Sequence, residues 1–123
     1  MCKEVWNTDE LREYLIEALE TAKKRPDGFM DYGLWFPVLR TEIEDELDYW
    51  NDVIRIVNIV GWLVKKEFSC EIRDVTPVDV GVGSYTVSAH LICPDGWYAI
   101  GFDVDYDDEK KEWVITAFDA LRF

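Results

Sequence analysis

The chain has 123 residues, 26 acidic and 13 basic, for a formal net charge of −13 with its single histidine neutral. That length fits one domain with its own core, and the 49% hydrophobic and 15% aromatic content excludes an acidic disordered tail, which would be poor in aromatics. The charge also excludes direct nucleic-acid binding and attachment to an anionic membrane, since phosphates would be repelled.

The chain starts MCKEVWNTDEL, without the apolar run of a signal peptide. Asn7 is placed to cap a first helix, with Glu10 completing a capping box and Trp6 and Leu11 spaced as a hydrophobic staple. Asp9 and Glu10 in the first turn and Lys23, Lys24 and Arg25 in the last complement the helix dipole. Leu11, Leu15, Ala18 and Ala22 form the inner stripe, widened by Tyr14 and Leu19, and Pro26-Asp27-Gly28 stops the helix. Residues 29–39, FMDYGLWFPVL, are aromatic and aperiodic and read as a loop or short helical turn folded on the core.

A second helix is predicted from Thr41, with Thr41 and Glu44 as its capping box. Ile43, Leu47, Trp50, Ile54 and Val57 form its inward stripe, and Thr41, Asp45, Asp48, Asp52, Arg55 and Asn58 its polar side. From Val53 it is apolar on most of its circumference, so a central position is expected, with Gly61 kinking or ending it. The apolar run Val53 to Val64 contains Arg55 and Asn58 and is too short to span a bilayer.

From residue 67 the period changes to two. Phe68, Cys70 and Ile72 alternate with polar residues, and Thr76 to Gly83 reads as a break, bulge or long turn. Tyr85, Val87, Ala89, Leu91 and Cys93 form the next apolar row. After the Pro94-Asp95-Gly96 turn come Tyr98, Ile100, Phe102, Val104 and Tyr106, and WVITAFDALRF closes the chain. Pairing Ile92 with Trp97, Leu91 with Tyr98, Val87 with Phe102 and Tyr85 with Val104 keeps one face apolar, whereas a slip of one residue brings Asp103 onto it. The expected fold is therefore α+β: two or three N-terminal helices (1–66) packed on a C-terminal four-stranded antiparallel meander (67–123), in one domain of residues 1–123.

Cysteines at 2, 70 and 93 have no close spacing, which suggests neither a disulfide framework nor a metal knuckle. Cys70 and Cys93 lie on apolar rows and read as buried free thiols in a reducing cytosol, so a cytoplasmic location is expected. Asp103-x-Asp105-x-Asp107 lacks the sixth-position glycine and twelfth-position glutamate of a calcium loop, because Asp108 and Val114 stand there. No metal or cofactor is expected. His90 could join Ser88 and Asp103 or Asp105 on the outer face, but that surface is open and carries no hydrolase elbow or phosphate loop, so no catalytic residue is assigned.

Residues 67–123 hold twelve acids and four bases, a net of −8. Asp103, Asp105, Asp107, Asp108 and Glu109 are the candidate partner-binding residues, with Trp97 as an exposed aromatic anchor. Glu42, Asp45 and Asp48 form a secondary acidic face, although acids also belong at helix starts for electrostatic reasons. Trp6, Trp50, Trp62 and Trp113 are expected to pack. The expected partner is a basic protein surface, such as that of a nuclease or toxin, met by a monomer, because two faces this negative repel each other.

The stretch SYTVSAHLICPDGWYAIGFDVDYDDEKKEWVITAFDA resembles the last three strands of the nuclear transport factor 2-like and cystatin-like rolls. The resemblance implies a curved meander on helices and an alternative function: a small-molecule-binding or enzymatic domain with a cavity near Tyr85, Phe102 and Tyr106. In size, acidity and lack of catalytic motif the chain is similar to small inhibitors such as toxin-immunity and anti-CRISPR proteins.

Overall fold

The alternation after residue 67 forms the meander: β4 (Glu71–Gly81), β5 (Ser84–Cys93), β6 (Gly96–Asp107) and β7 (Glu112–Arg122). The computed structural model describes residues 5–6, 8–24, 30–31 and 36–122. Before the meander come β1 (Val5–Trp6), α1 (Thr8–Lys24), β2 (Met30–Asp31), β3 (Phe36–Arg40) and α2 (Glu46–Phe68). The strand order is β1-β3-β7-β6-β5-β4, with β2 also paired to β7 and every pairing antiparallel. The architecture is α+β as expected, with two described helices and a sheet of seven strand segments, five of them at least five residues long.

The β5–β6 register is the predicted one, with Ile92 opposite Trp97, Leu91 opposite Tyr98, Val87 opposite Phe102 and Tyr85 opposite Val104. Tyr85, Val87, Ala89 and Leu91 of β5 and Tyr98, Ile100, Phe102 and Val104 of β6 are accordingly all buried. On β7 the rhythm breaks: Trp113, Val114 and Ile115 are all buried, then Phe118 and Ala120. The register shifts there, with Val104 opposite Ile115 but Asp103 opposite Ala117, so Thr116 is the extra residue of a bulge.

The segment 29–39, expected as a loop or helical turn, instead supplies β2 and β3, which extend the sheet along β7. The sheet therefore draws strands from both sides of residue 67. Asn7 and Pro26-Asp27-Gly28 lie outside the described residues. Of the predicted inner stripe of α1, Leu11, Tyr14, Leu15, Ala18 and Leu19 are buried, with Tyr14 meeting Phe118 edge-on at 6.0 Å, while the Ala22 side chain lies outside the described residues.

The second helix departs from its prediction in two ways. It begins at Glu46, not near Thr41: Asp45 is the N-cap, and its side chain accepts from Leu47 N while Asp48 accepts from the Asp45 amide. Residues 41–45 stay non-helical because Thr41 is bound to the sheet, its amide donating to Lys111 O at 2.9 Å and its carbonyl accepting from Tyr106 Oη at 2.9 Å. The buried stripe is also rotated, comprising Asp52, Val53, Ile56, Val57, Val60, Leu63 and Val64, whereas Leu47 is 62% exposed. Trp50 and Trp62, expected to pack, are exposed, with Lys66 Nζ standing 4.8 Å over the Trp62 ring. Gly61 does not end the helix, which runs on to Phe68. A Cβ there would lie 2.9 Å from Ile72 Cγ2, so the glycine lets α2 approach β4.

Cys70 and Cys93 are not free thiols. They form a disulfide joining the entry of β4 to the end of β5. The pattern placed both cysteines on the same apolar side but could not show that the hairpin sets them opposite each other. No described helix is long and apolar enough to cross a membrane.

Candidate interaction site: an acidic pole

Three of the predicted partner-binding carboxylates, Asp103, Asp105 and Asp107, are held by neutral donors. Thr86 Oγ1 donates to Asp103 Oδ1 at 2.9 Å. Asp105 accepts from Ser84 Oγ through Oδ1 and from Thr116 Oγ1 at 2.7 Å through Oδ2, so the β7 bulge turns a hydroxyl onto it. Asp107 Oδ1 accepts from the turn amides of Glu109 (3.0 Å) and Lys110 (3.2 Å). Among the described residues no lysine or arginine nitrogen lies within ion-pair distance of these three carboxylates. Hydroxyl and amide donors orient a carboxylate while leaving its net charge intact.

Asp108 is exposed and pairs with Lys111 at 3.1 Å; Glu109 is exposed. The hydrogen bond that Lys111 Nζ donates to Asp108 holds the Lys111 amine above its ordinary range, and Glu42 is among the smaller contributors, which places Glu42 beside the β6–β7 turn. Thr41 and Tyr106 make the same junction through their hydrogen bond, and Tyr49 packs edge-on against Tyr106 at 5.7 Å. The β4–β5 turn joins it too, because Tyr106 N donates to Gly83 O at 2.8 Å.

The secondary acidic face is thus not separate from the hairpin. The start of α2, the β4–β5 turn and the β6–β7 turn meet at one end of the molecule. Residues 42–48, Asp79 and residues 105–112 bring eleven carboxylates there, against the cations Arg40, Lys110 and Lys111. Asp45 and Asp48 serve α2 as its cap, and Glu112 is paired with Arg40 at 3.7 Å. Trp97 is exposed as expected, at 52%, but it stands at the opposite end. Asp107 lies ten steps further along β6, about 33 Å of strand.

His90 meets neither Asp103 nor Asp105; hydroxyls occupy both oxygens of Asp105 and Oδ1 of Asp103. Its Nδ1 lies 3.0 Å from Oδ2 of Asp74, a residue brought into reach by a left-handed backbone at a β4 bulge. Ser88 lies exposed on the same outer face and is not hydrogen-bonded to His90. Among the described residues no group of three or more His, Cys, Asp or Glu is placed to hold a metal ion.

Where the roll resemblance implies a cavity, aromatic rings are packed together. Phe102 stacks with Phe118 at 6.0 Å, and Tyr106 and Tyr85 lie 5.4 and 6.3 Å from Trp113. Burial, aided by Asp79 and Tyr49, pushes the Tyr85 hydroxyl above the usual tyrosine range. Tyr49 and Asp79 were not singled out from the sequence, Glu46 belonged to the second acidic run, and Tyr85 was named as a site residue only beside the cavity that the roll resemblance implies. Tyr49 lay within the predicted second helix, off its inward stripe, and Asp79 within the predicted break. Comparison with protein-family models, with curated proteins and with solved structures gives no match to this chain.

Proposed function

We propose that the protein is a non-enzymatic interaction module that binds and blocks a basic protein surface, of the kind that handles nucleic acid, through its acidic pole. The supporting observation is the row Asp103, Asp105, Asp107: carboxylates at every second residue of one strand, each held by neutral donors. A fixed negative array of this kind speeds and orients association with a basic surface. It also repels a second copy, which favours binding as a monomer. Toxin-immunity and anti-CRISPR-type antagonists are similar in general character. Disulfides persist in oxidising compartments and are rare in a reducing cytosol, so the Cys70–Cys93 bond counts against a cytoplasmic location.

The test is affinity capture from the native host with two baits, the wild type and the variant Asp107→Asn, Asp108→Asn, Glu109→Gln. Asparagine at 107 keeps an acceptor for the turn amides, so the variant loses charge and little structure. The expected result is a basic protein retained by the wild type, lost with the variant and released by duplex DNA. A partner held equally by both baits and indifferent to DNA overturns the proposal.

A further inference from the structure

Beside the α2 start and the β4–β5 turn lies an open concavity of about 420 Å³ lined by Glu46, Tyr49, Asp79, Val82, Gly83 and Tyr85. Tyr85 is only 7% exposed, yet its hydroxyl has no hydrogen-bond partner among the described residues. The Tyr49 hydroxyl has none either, although its ring is fixed edge-on to Tyr106 and Trp113. Both tyrosines line the concavity, and neither hydroxyl is sealed from it, so each phenol oxygen is an acceptor that a ligand entering the space can use. Among the described residues no cation pairs with Glu46 or Asp79, and Asp79 Oδ1 accepts only from the Gly81 amide, at 3.0 Å. Gly83, at φ +69°, forms one wall: a Cβ there would stand 3.2 Å from Tyr49 Cε1.

We infer that this concavity is a binding site for an organic cation that carries N–H donors, an alkylammonium or alkylguanidinium group. Two carboxylates supply the charge complement, two aromatic rings supply faces that attract cations, and two phenol oxygens accept N–H bonds. A quaternary ammonium fits the charge and the rings but leaves both phenol oxygens unmatched. The cation is either a lysine or arginine side chain of the basic partner or a free amine. Only the first source rests on the acidic-pole reading; the site itself rests on the tyrosines.

The experiment is an NMR titration of the whole ¹⁵N-labelled chain with butylguanidinium, butylammonium and tetramethylammonium. Saturable shifts are expected at residues 46–49 and 79–85 for the first two probes, with tetramethylammonium binding about tenfold more weakly. Tyr85→Phe, which keeps the ring, should weaken butylguanidinium about three- to tenfold. Asp79→Asn should do so about tenfold, with amide spectra reporting that both variants fold. Equal affinity for all three probes, shifts spread evenly over every acidic residue, or variants that bind like the wild type would each overturn the site. An arginine-containing peptide binding more tightly than spermidine identifies a partner side chain as the source; the reverse identifies a free amine. The variant Asp107→Asn, Asp108→Asn, Glu109→Gln should retain butylguanidinium binding. Losing partner capture while keeping that binding separates failure of the pole from failure of the pocket.

Discussion

The indole Nε1–H of Trp113 donates to Asp52 Oδ2 at 2.9 Å, joining the middle of α2 to the start of β7 across 61 residues of sequence. Both side chains are buried, Asp52 at 3% exposure, and Arg55 Nη1 approaches the other carboxylate oxygen at 3.5 Å. Asp52→Ala should lower unfolding free energy by about 2–3 kcal/mol, because it leaves a buried N–H unmatched. Asp52→Asn retains an acceptor and should lose less. Urea unfolding of the two variants checks the order, and an alanine variant as stable as the wild type contradicts this account of the bond.

Stability should fall at alkaline pH. Burial is the main cause that raises both Tyr85 and Tyr106 above the ordinary tyrosine value. The folded chain therefore keeps protons that the unfolded chain releases from about pH 10 upward, so this contribution is full below that pH and is lost above it. Tyr85→Phe should flatten the decline, measured as unfolding free energy between neutral pH and the onset of phenolate absorbance. A decline equally steep in the variant assigns it to other groups.

The Cys70–Cys93 bond closes a loop around β4 and β5, with a sequence separation of 23. Chain-entropy arguments put its stabilisation at roughly 3 kcal/mol. Replacing both cysteines with alanine should lower the melting temperature, and reducing agent should have the same effect on the wild type but not on the variant. Intact-mass measurement with and without reductant reports the bond directly.

At Gly61, helix propensity and packing oppose each other. Alanine would gain about 1 kcal/mol in the helix, but its Cβ would stand 2.9 Å from Cγ2 of Ile72, a side chain stiff at χ1. Gly61→Ala is expected to destabilise the wild type and to stabilise an Ile72→Ala background. The same sign in both backgrounds would mean that the Ile72 contact is not the constraint.

The β5–β6 register was legible because one wrong step would set Asp103 among Val87 and its apolar neighbours, a local penalty visible in the sequence. The face of α2 was not legible. Leu47 and Trp50 are apolar and exposed, while Asp52 is polar and buried, because its indole partner lies 61 residues away. β3 was hidden for a related reason: Phe36–Arg40 shows no alternation of its own and is a strand through pairing with β7. The acidity of residues 42–48 and 103–109 was plain in each segment. Their meeting was not, since it depends on Thr41 reaching Lys111 and Tyr106.

Bringing these carboxylates to one end also has a mechanical side. Each chain folds against its own repulsion there, so the pole acts as a compressed spring that exists only in the native state. Added salt should relax it and raise stability. A cationic partner relaxes it far more locally, and because it binds the folded form alone, it stabilises the fold by mass action. Thermal stability thus becomes a sensor of occupancy: among salts matched for ionic strength, the cation that raises the melting temperature most is the one the pole recognises.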